Sequence, residues 1–220
     1  MKSPRLYMLG AILAVLAFRV GCTAAFAGTA LSGDQILARA AVAPGLTSYS
    51  VPIHFDVHMH RPLSITTSVE GIMYYKAPAQ AALVITKIPS IIGKFFKGSY
   101  SLDMIPQTWP SKYTVTSVEQ TEIDGASTYM LESVPKSDSS VDRVVFGVMQ
   151  ADYAPVSVAW HYRDGSSINV SMQNQHLSGY TLAQTESITV NMPQFGLNAT
   201  ANYGSYALNA SVPDSVFVTQ

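Results

Sequence analysis

Apolar and polar residues alternate with a period of two along most of the chain beyond residue 50. Ile53, Phe55, Val57 and Met59 alternate with His54, Asp56, His58 and His60. Val156, Val158, Trp160 and Tyr162 alternate with Ser157, Ala159, His161 and Arg163. Ile168, Val170 and Met172 repeat the pattern, as do Ile188, Val190 and Met192. Successive side chains of a strand point to opposite faces, so each run has one dry and one wet face, the signature of antiparallel sheet. Asp124-Gly125 and Asp164-Gly165 stand between such runs as hairpin turns, and residues 135–140 form a longer polar loop before Val141–Met149. These signals predict roughly nine or ten strands in one domain.

Two stretches keep a different rhythm. Ser32 with Gln35 is a capping-box pair, Asp34 suits the positive end of a helix, and Ile36, Leu37, Ala40 and Ala41 share one helical face. A short amphipathic helix is expected over residues 33–42, stopped by Pro44-Gly45. Residues 88–110 have no clean strand period. They hold Pro89, Ile91, Ile92, Phe95, Phe96, Leu102, Met104, Ile105, Trp109 and Pro110, and read as short apolar helical turns that cover something.

The first 27 residues read as an address. Lys2 and Arg5 precede the apolar run Leu6–Phe18, and Ala25-Phe26-Ala27 offers a cleavage pattern, so residues 1–27 are a secretory signal and 28–220 the mature domain. The run is too short to span a bilayer, where about 20 apolar residues are needed. The expected location is periplasmic or secreted. Val20-Gly21-Cys22 partly resembles a lipobox, so lipidation of Cys22 would instead tether the protein to a membrane.

Composition narrows the function. Only 12% of the 220 residues are charged and 48% are hydrophobic, which excludes a disordered chain. The net charge of -1 becomes -4 once Lys2, Arg5 and Arg19 leave with the signal, which argues against nucleic acid as a partner. The single cysteine leaves too, and with it disulfides and thiol catalysis. There is no G-x-S-x-G elbow, H-E-x-x-H, P-loop or dinucleotide fingerprint, so no enzyme activity and no cofactor are expected. Three N-x-S/T triplets at Asn169, Asn198 and Asn209 carry no weight in Asn- and Ser-rich strands.

One cluster proposes metal chemistry. His54, Asp56, His58 and His60 lie on one face of one predicted strand, and imidazole with carboxylate is a common Zn2+ ligand set. Alternate strand residues are about 6.6 Å apart, so one ion reaches two neighbours and not all four.

Several short segments resemble the LolA and LolB family of lipoprotein carriers. Glu70 to Pro78 is similar to a glycine, an apolar strand, a basic residue and a proline of that family. Ile123-Asp124-Gly125 with Tyr129-Met130-Leu131 resembles its central hairpin, and Asn209, Pro213-Asp214 and Phe217 resemble its closing segment. The resemblance implies a mainly β (α+β) fold, in which one antiparallel sheet curves into an incomplete barrel of about eleven strands. Short helices form a lid on the concave face. It also implies an apolar cavity that holds lipid or lipoprotein acyl chains, with donor and acceptor proteins at the membranes as further partners. Family carriers often place a basic residue near the cavity, for which Arg61 and Arg143 are the candidates here.

On this reading the concave lining comprises Phe55, Val57, Met59, Met73, Val158, Trp160 and Met172, with Phe95 and Phe96 on the lid. Methionines suit such a surface because the side chain is flexible and polarizable. Two alternatives remain at this stage: an envelope sensor or interaction module of the same fold without transfer activity, and a metal-binding β-protein using His54, His58 and His60.

Overall fold

The computed structural model describes residues 31–41, 43–89, 105–137 and 140–218, together with the backbone of 18–20 and 99–101. Most of the leader 1–27, Cys22, and Phe95 and Phe96 of the expected lid lie outside the described residues.

Helix α1 spans Gly33–Ala40. Ser32 caps it as expected: its hydroxyl accepts the Gln35 amide at 3.2 Å and the Gln35 side chain accepts the Ser32 amide at 2.9 Å. Ile36, Leu37 and Ala40 are buried, so the apolar face read from sequence is the packed one. The helix ends at Ala40, with Ala41 as its C-cap.

The strands are β1 (Phe18–Val20), β2 (Ser48–Arg61), β3 (Ile65–Lys76), β4 (Gln80–Lys87) and β5 (Ser99–Ser101). They continue with β6 (Tyr113–Ile123), β7 (Ala126–Pro135), β8 (Val141–Met149) and β9 (Pro155–Tyr162). The chain closes with β10 (Ser167–Leu177), β11 (Tyr180–Met192), β12 (Phe195–Tyr203) and β13 (Ala207–Leu208). They form one sheet in the order β5-β4-β3-β2-β12-β11-β10-β9-β8-β7-β6, with β1 pairing β11 and β13 pairing β2 off that path. Every pairing is antiparallel. The path begins at β5 and ends at β6, so the sheet is open, a half-barrel.

Two features were not legible in the periodicity. Residues 99–101 form a strand against β4, where the sequence reads as helical turns. The final strand before the C-terminal segment, β12, returns to lie beside β2, so the two ends of the chain meet in the middle of the sheet. The helical expectation does hold at 106–112: a 3-10 turn at Pro106–Thr108 runs into a short helix α2, Trp109–Lys112. This segment leads from one edge of the sheet to the other.

The hairpin turns fall where the Asp-Gly pairs stand. Asp124, Gly125 and Gly165 adopt positive φ, which glycine reaches without steric cost. Asp164 accepts the Ser166 amide at 2.9 Å, which stabilises the second turn, and the Ser166 side chain first and then this amide hold the Asp164 carboxyl below the usual range. Among the described residues no helix is long and apolar enough to cross a membrane.

Candidate functional site

The inner face of the sheet carries the odd-numbered residues of β2, β3 and β12 and the even-numbered residues of β8, β9 and β10. The buried members are Val51, Ile53, Phe55, Val69 and Met73, then Val144, Phe146, Val158, Trp160, Ile168, Val170 and Met172, and Leu197, Ala199 and Ala201. They form one contiguous core with Ile36, Leu37 and Ala40 of α1 and with Ile105 and Trp109. The face is therefore apolar from β3 to β8 and is covered, among the described residues, by one short helix and one turn of another.

Seven of the nine sequence-expected lining residues fall on this face. Phe55, Met73, Val158, Trp160 and Met172 are buried, while Val57 and Met59 are half-buried and pack against the same core. Cross-strand register brings them into rows: Met172 is opposite Glu186, Glu186 opposite Ala201, Ala201 opposite Phe55 and Phe55 opposite Val69. A second row joins Val170, Ile188, Ala199 and Val57.

Trp160 belongs to an aromatic cluster. Its indole N–H donates to the Tyr113 hydroxyl at 3.2 Å, and Phe146 packs against Trp109 and Tyr113 at centroid distances of 4.4 and 5.5 Å. This end of the face is thus closed by side chains from β6, β8, β9 and α2.

The opposite end is different in chemistry. Glu186 is 0% exposed and is the only charged residue in the buried set of the described residues. Tyr49, Tyr75, Tyr203 and Tyr206 gather near it: Tyr49 stacks on Tyr75 at 5.3 Å, Tyr206 lies 5.6 Å from Tyr49, and Tyr203 and Tyr206 are parallel at 6.3 Å. Burial first, and then the Glu186 carboxylate, push the Tyr203 and Tyr206 hydroxyls well above the ordinary phenol range. Tyr49 is pushed up by burial and then by Tyr206, Tyr75 and Glu186.

Sequence reasoning missed this group. A signal was there: extending the alternation of Ile188, Val190 and Met192 back by two residues puts Glu186 on the inner face.

The outer face is wet and carries Arg143. Arg143 neighbours His161 across β8 and β9, and its charge, after burial, helps lower the His161 pKa. The Arg61 guanidinium donates to Asn191 Oδ1 at 3.0 Å. Arg143 follows the outward parity of β8, while Arg61, the last residue of β2, is bonded to Asn191 and to the Pro193 carbonyl.

The histidine cluster also resolves on the outer face. His54 meets Asp56 at 3.2 Å, His58 bonds Thr66 at 3.0 Å, and the rings of His58 and His60 lie 6.5 Å apart. Among the described residues no three His, Cys, Asp or Glu side chains come together as a metal site. Strand spacing spreads His54, Asp56, His58 and His60 into separate pairs.

A family model described as "-like: Uncharacterized protein" matches residues 87–220. The chain belongs to that family. No curated protein matches the sequence. Solved structures do. A LolA superfamily protein from Nitrosomonas europaea is 15% identical, with a TM-score of 0.62, covering 86% of this chain and 98% of its own. A domain described as an outer membrane lipoprotein-sorting protein, from Vibrio parahaemolyticus, is 14% identical at a TM-score of 0.58, over 79% of this chain and 90% of its own. A DUF1329 family protein from Desulfovibrio piger is 11% identical at a TM-score of 0.61, over 84% and 95% of the two chains. At these identities the likeness is one of fold, and the family member described here has a LolA-like fold.

Proposed function

We propose that this family member is an extracytoplasmic carrier that shields lipid or lipoprotein acyl chains on the concave face of its half-barrel. The observation that carries the reading is an open sheet whose inner face is apolar across β3 to β8 yet covered, among the described residues, by short elements. Phe55, Val57, Met59, Met73, Val158, Trp160 and Met172 line the face on this proposal, and Phe95 and Phe96 belong to its lid. Burial of each methylene contributes about 0.8 kcal/mol, so an acyl chain binds usefully without polar recognition. Movement of the covering segment would expose the face to a donor or acceptor at a membrane. The Vibrio neighbour's description as a lipoprotein-sorting domain supports a periplasmic setting and a transfer role. No catalytic chemistry is part of this function.

Native mass spectrometry of the protein purified without detergent from its own envelope tests the proposal. The expected result is extra mass that organic solvent removes. A spectrum of bare chain, from a protein that also fails to bind a fluorescent fatty acid, would overturn it.

A further inference from the structure

The sheet is split at the start of β11. β12 runs beside β11 from Phe195, opposite Met192, only as far as Asn202, opposite Thr185. Past Tyr203 the chain follows β2 instead: the Gly204 amide donates to the Pro52 carbonyl at 2.8 Å, and Ala207 and Leu208 pair with Ser50 and Tyr49. Tyr180, Thr181 and Leu182 therefore keep β10 on one edge, through Leu177, His176 and Gln175, and have lost β12 on the other. A register shift between Gln173 and Asn174 marks the bulge at which β11 turns away.

The vacated edge is filled by the chain's own Phe18–Val20, which pairs antiparallel with Phe18 opposite Leu182, Arg19 opposite Thr181 and Val20 opposite Tyr180. The segment that follows β12 borders this slot. The Tyr206 hydroxyl donates to the Ala183 carbonyl at 2.8 Å, and Asn209 Nδ2 donates to the Tyr180 hydroxyl at 3.5 Å. Thr181 and Leu182 are buried.

An acid stands beside the middle position. The Thr181 hydroxyl donates to Asp152 Oδ2 at 3.0 Å, and the other Asp152 oxygen accepts the Ala154 amide at 2.9 Å. On the β10 side, His176 Nδ1 lies 2.9 Å from the same hydroxyl. Directly opposed residues of antiparallel strands share a face, with Cβ atoms about 5 Å apart. A residue seated opposite Thr181 is thus a neighbour of the Asp152 carboxylate, which favours a basic side chain there and repels an acidic one. Leu182 and Tyr180, on either side, favour apolar cross-strand partners.

Phe18–Val20 belong to the leader that the sequence expects to leave with residues 1–27. Its removal would bare main-chain groups along a largely buried edge, which is costly unless another strand takes the place. We propose that this edge of β11 is an acceptor slot for an extended segment of a partner protein with an apolar-basic-apolar alternation, kept closed by Phe18-Arg19-Val20 until the leader is removed. Main-chain hydrogen bonds supply the affinity and Asp152 selects the basic residue. The slot is a backbone edge and not part of the concave lining, so it stands apart from the carrier reading.

Hydrogen–deuterium exchange read by mass spectrometry tests this on the full 220-residue chain and on the form purified from its own envelope. The slot-facing amides of Tyr180–Leu182 should exchange slowly in the full chain and about tenfold faster in the envelope form. A capped peptide of residues Leu16–Gly21 should restore the protection, and the same peptide with Arg19→Glu should not. In the protein variant Asp152→Asn the two peptides should protect more equally. The proposal is overturned by fast exchange in the full chain, by an envelope form that still carries residues 18–20, or by slow exchange in that form without peptide. Failure of the Leu16–Gly21 peptide to protect, or equal protection by its glutamate version, overturns it as well. These outcomes need no variant of the protein, so a folding defect in Asp152→Asn leaves the test intact.

Discussion

The Asp34 carboxylate accepts the backbone N–H of Val115 at 2.9 Å, fastening the first turn of α1 to the edge strand β6 where that strand bulges. An edge strand presents unpaired amides, and a bulge breaks the ladder further, so a side chain from the covering helix fills a gap the sheet cannot. Gly33 allows the approach: a Cβ there would run into the Val115 side chain and come within 2.9 Å of Val118. The helix is therefore docked by both a hydrogen bond and a missing side chain.

Asp34→Ala should lower stability by about 1 kcal/mol, with Asp34→Asn, which keeps an acceptor, costing less. Gly33→Val should be the more damaging change, because Val115 and its neighbours must shift. Urea unfolding of the three variants checks the order. Equal stability of all three would mean that α1 is not fastened at this point.

Trp160→Phe should destabilise by about 2 kcal/mol, since it leaves a small void and deprives the buried Tyr113 hydroxyl of its indole donor. Both tryptophans of the chain are buried, so emission of the folded protein should be blue-shifted and should move red on unfolding. Thermal melts followed by fluorescence read both effects.

Alkaline pH should unfold the protein through its buried phenols. Burial raises the folded-state pKa of Tyr49, Tyr203 and Tyr206 well above the ordinary phenol value of 10.0, and takes Tyr162 to about 12. A raised folded-state pKa means that the folded protein holds the proton more tightly than the unfolded chain does. The contribution is complete below the unfolded value and is lost as pH rises from there through the folded one. Among the 12 tyrosines, a subset should therefore ionise only together with loss of far-ultraviolet dichroism. A smooth tyrosinate titration with the fold intact would contradict the burial.

Met59→Gln should weaken acyl-chain binding several-fold while changing stability little, because Met59 is half-buried at the margin of the apolar face. Affinity for a fluorescent fatty acid, set against the urea midpoint of the same variant, separates the two effects. Unchanged affinity would move the ligand away from this end of β2.

Much of the architecture was legible because a period of two is a local property. Phe55, Val158, Trp160 and Met172 had to share a face with their strand neighbours, whatever the strands paired with. The capping box of Ser32 and Gln35 and the Asp-Gly turns were equally local, set within four residues by hydrogen bonding and by the φ that glycine allows. The tyrosine-rich end was not legible. Tyr49, Tyr203 and Tyr206 meet Glu186 only because β12 returns to β2 and the loop after it folds back over β11. Arg143 read as a cavity candidate until strand parity turned it outward. The amino-acid sequence by itself determined the strands, the helix and which residues are dry, since those follow from neighbours a few positions away. The tertiary structure alone decided which dry residues share a row, why one carboxylate lies among them and what ties α1 to β6, because each depends on strand order between residues far apart in the chain.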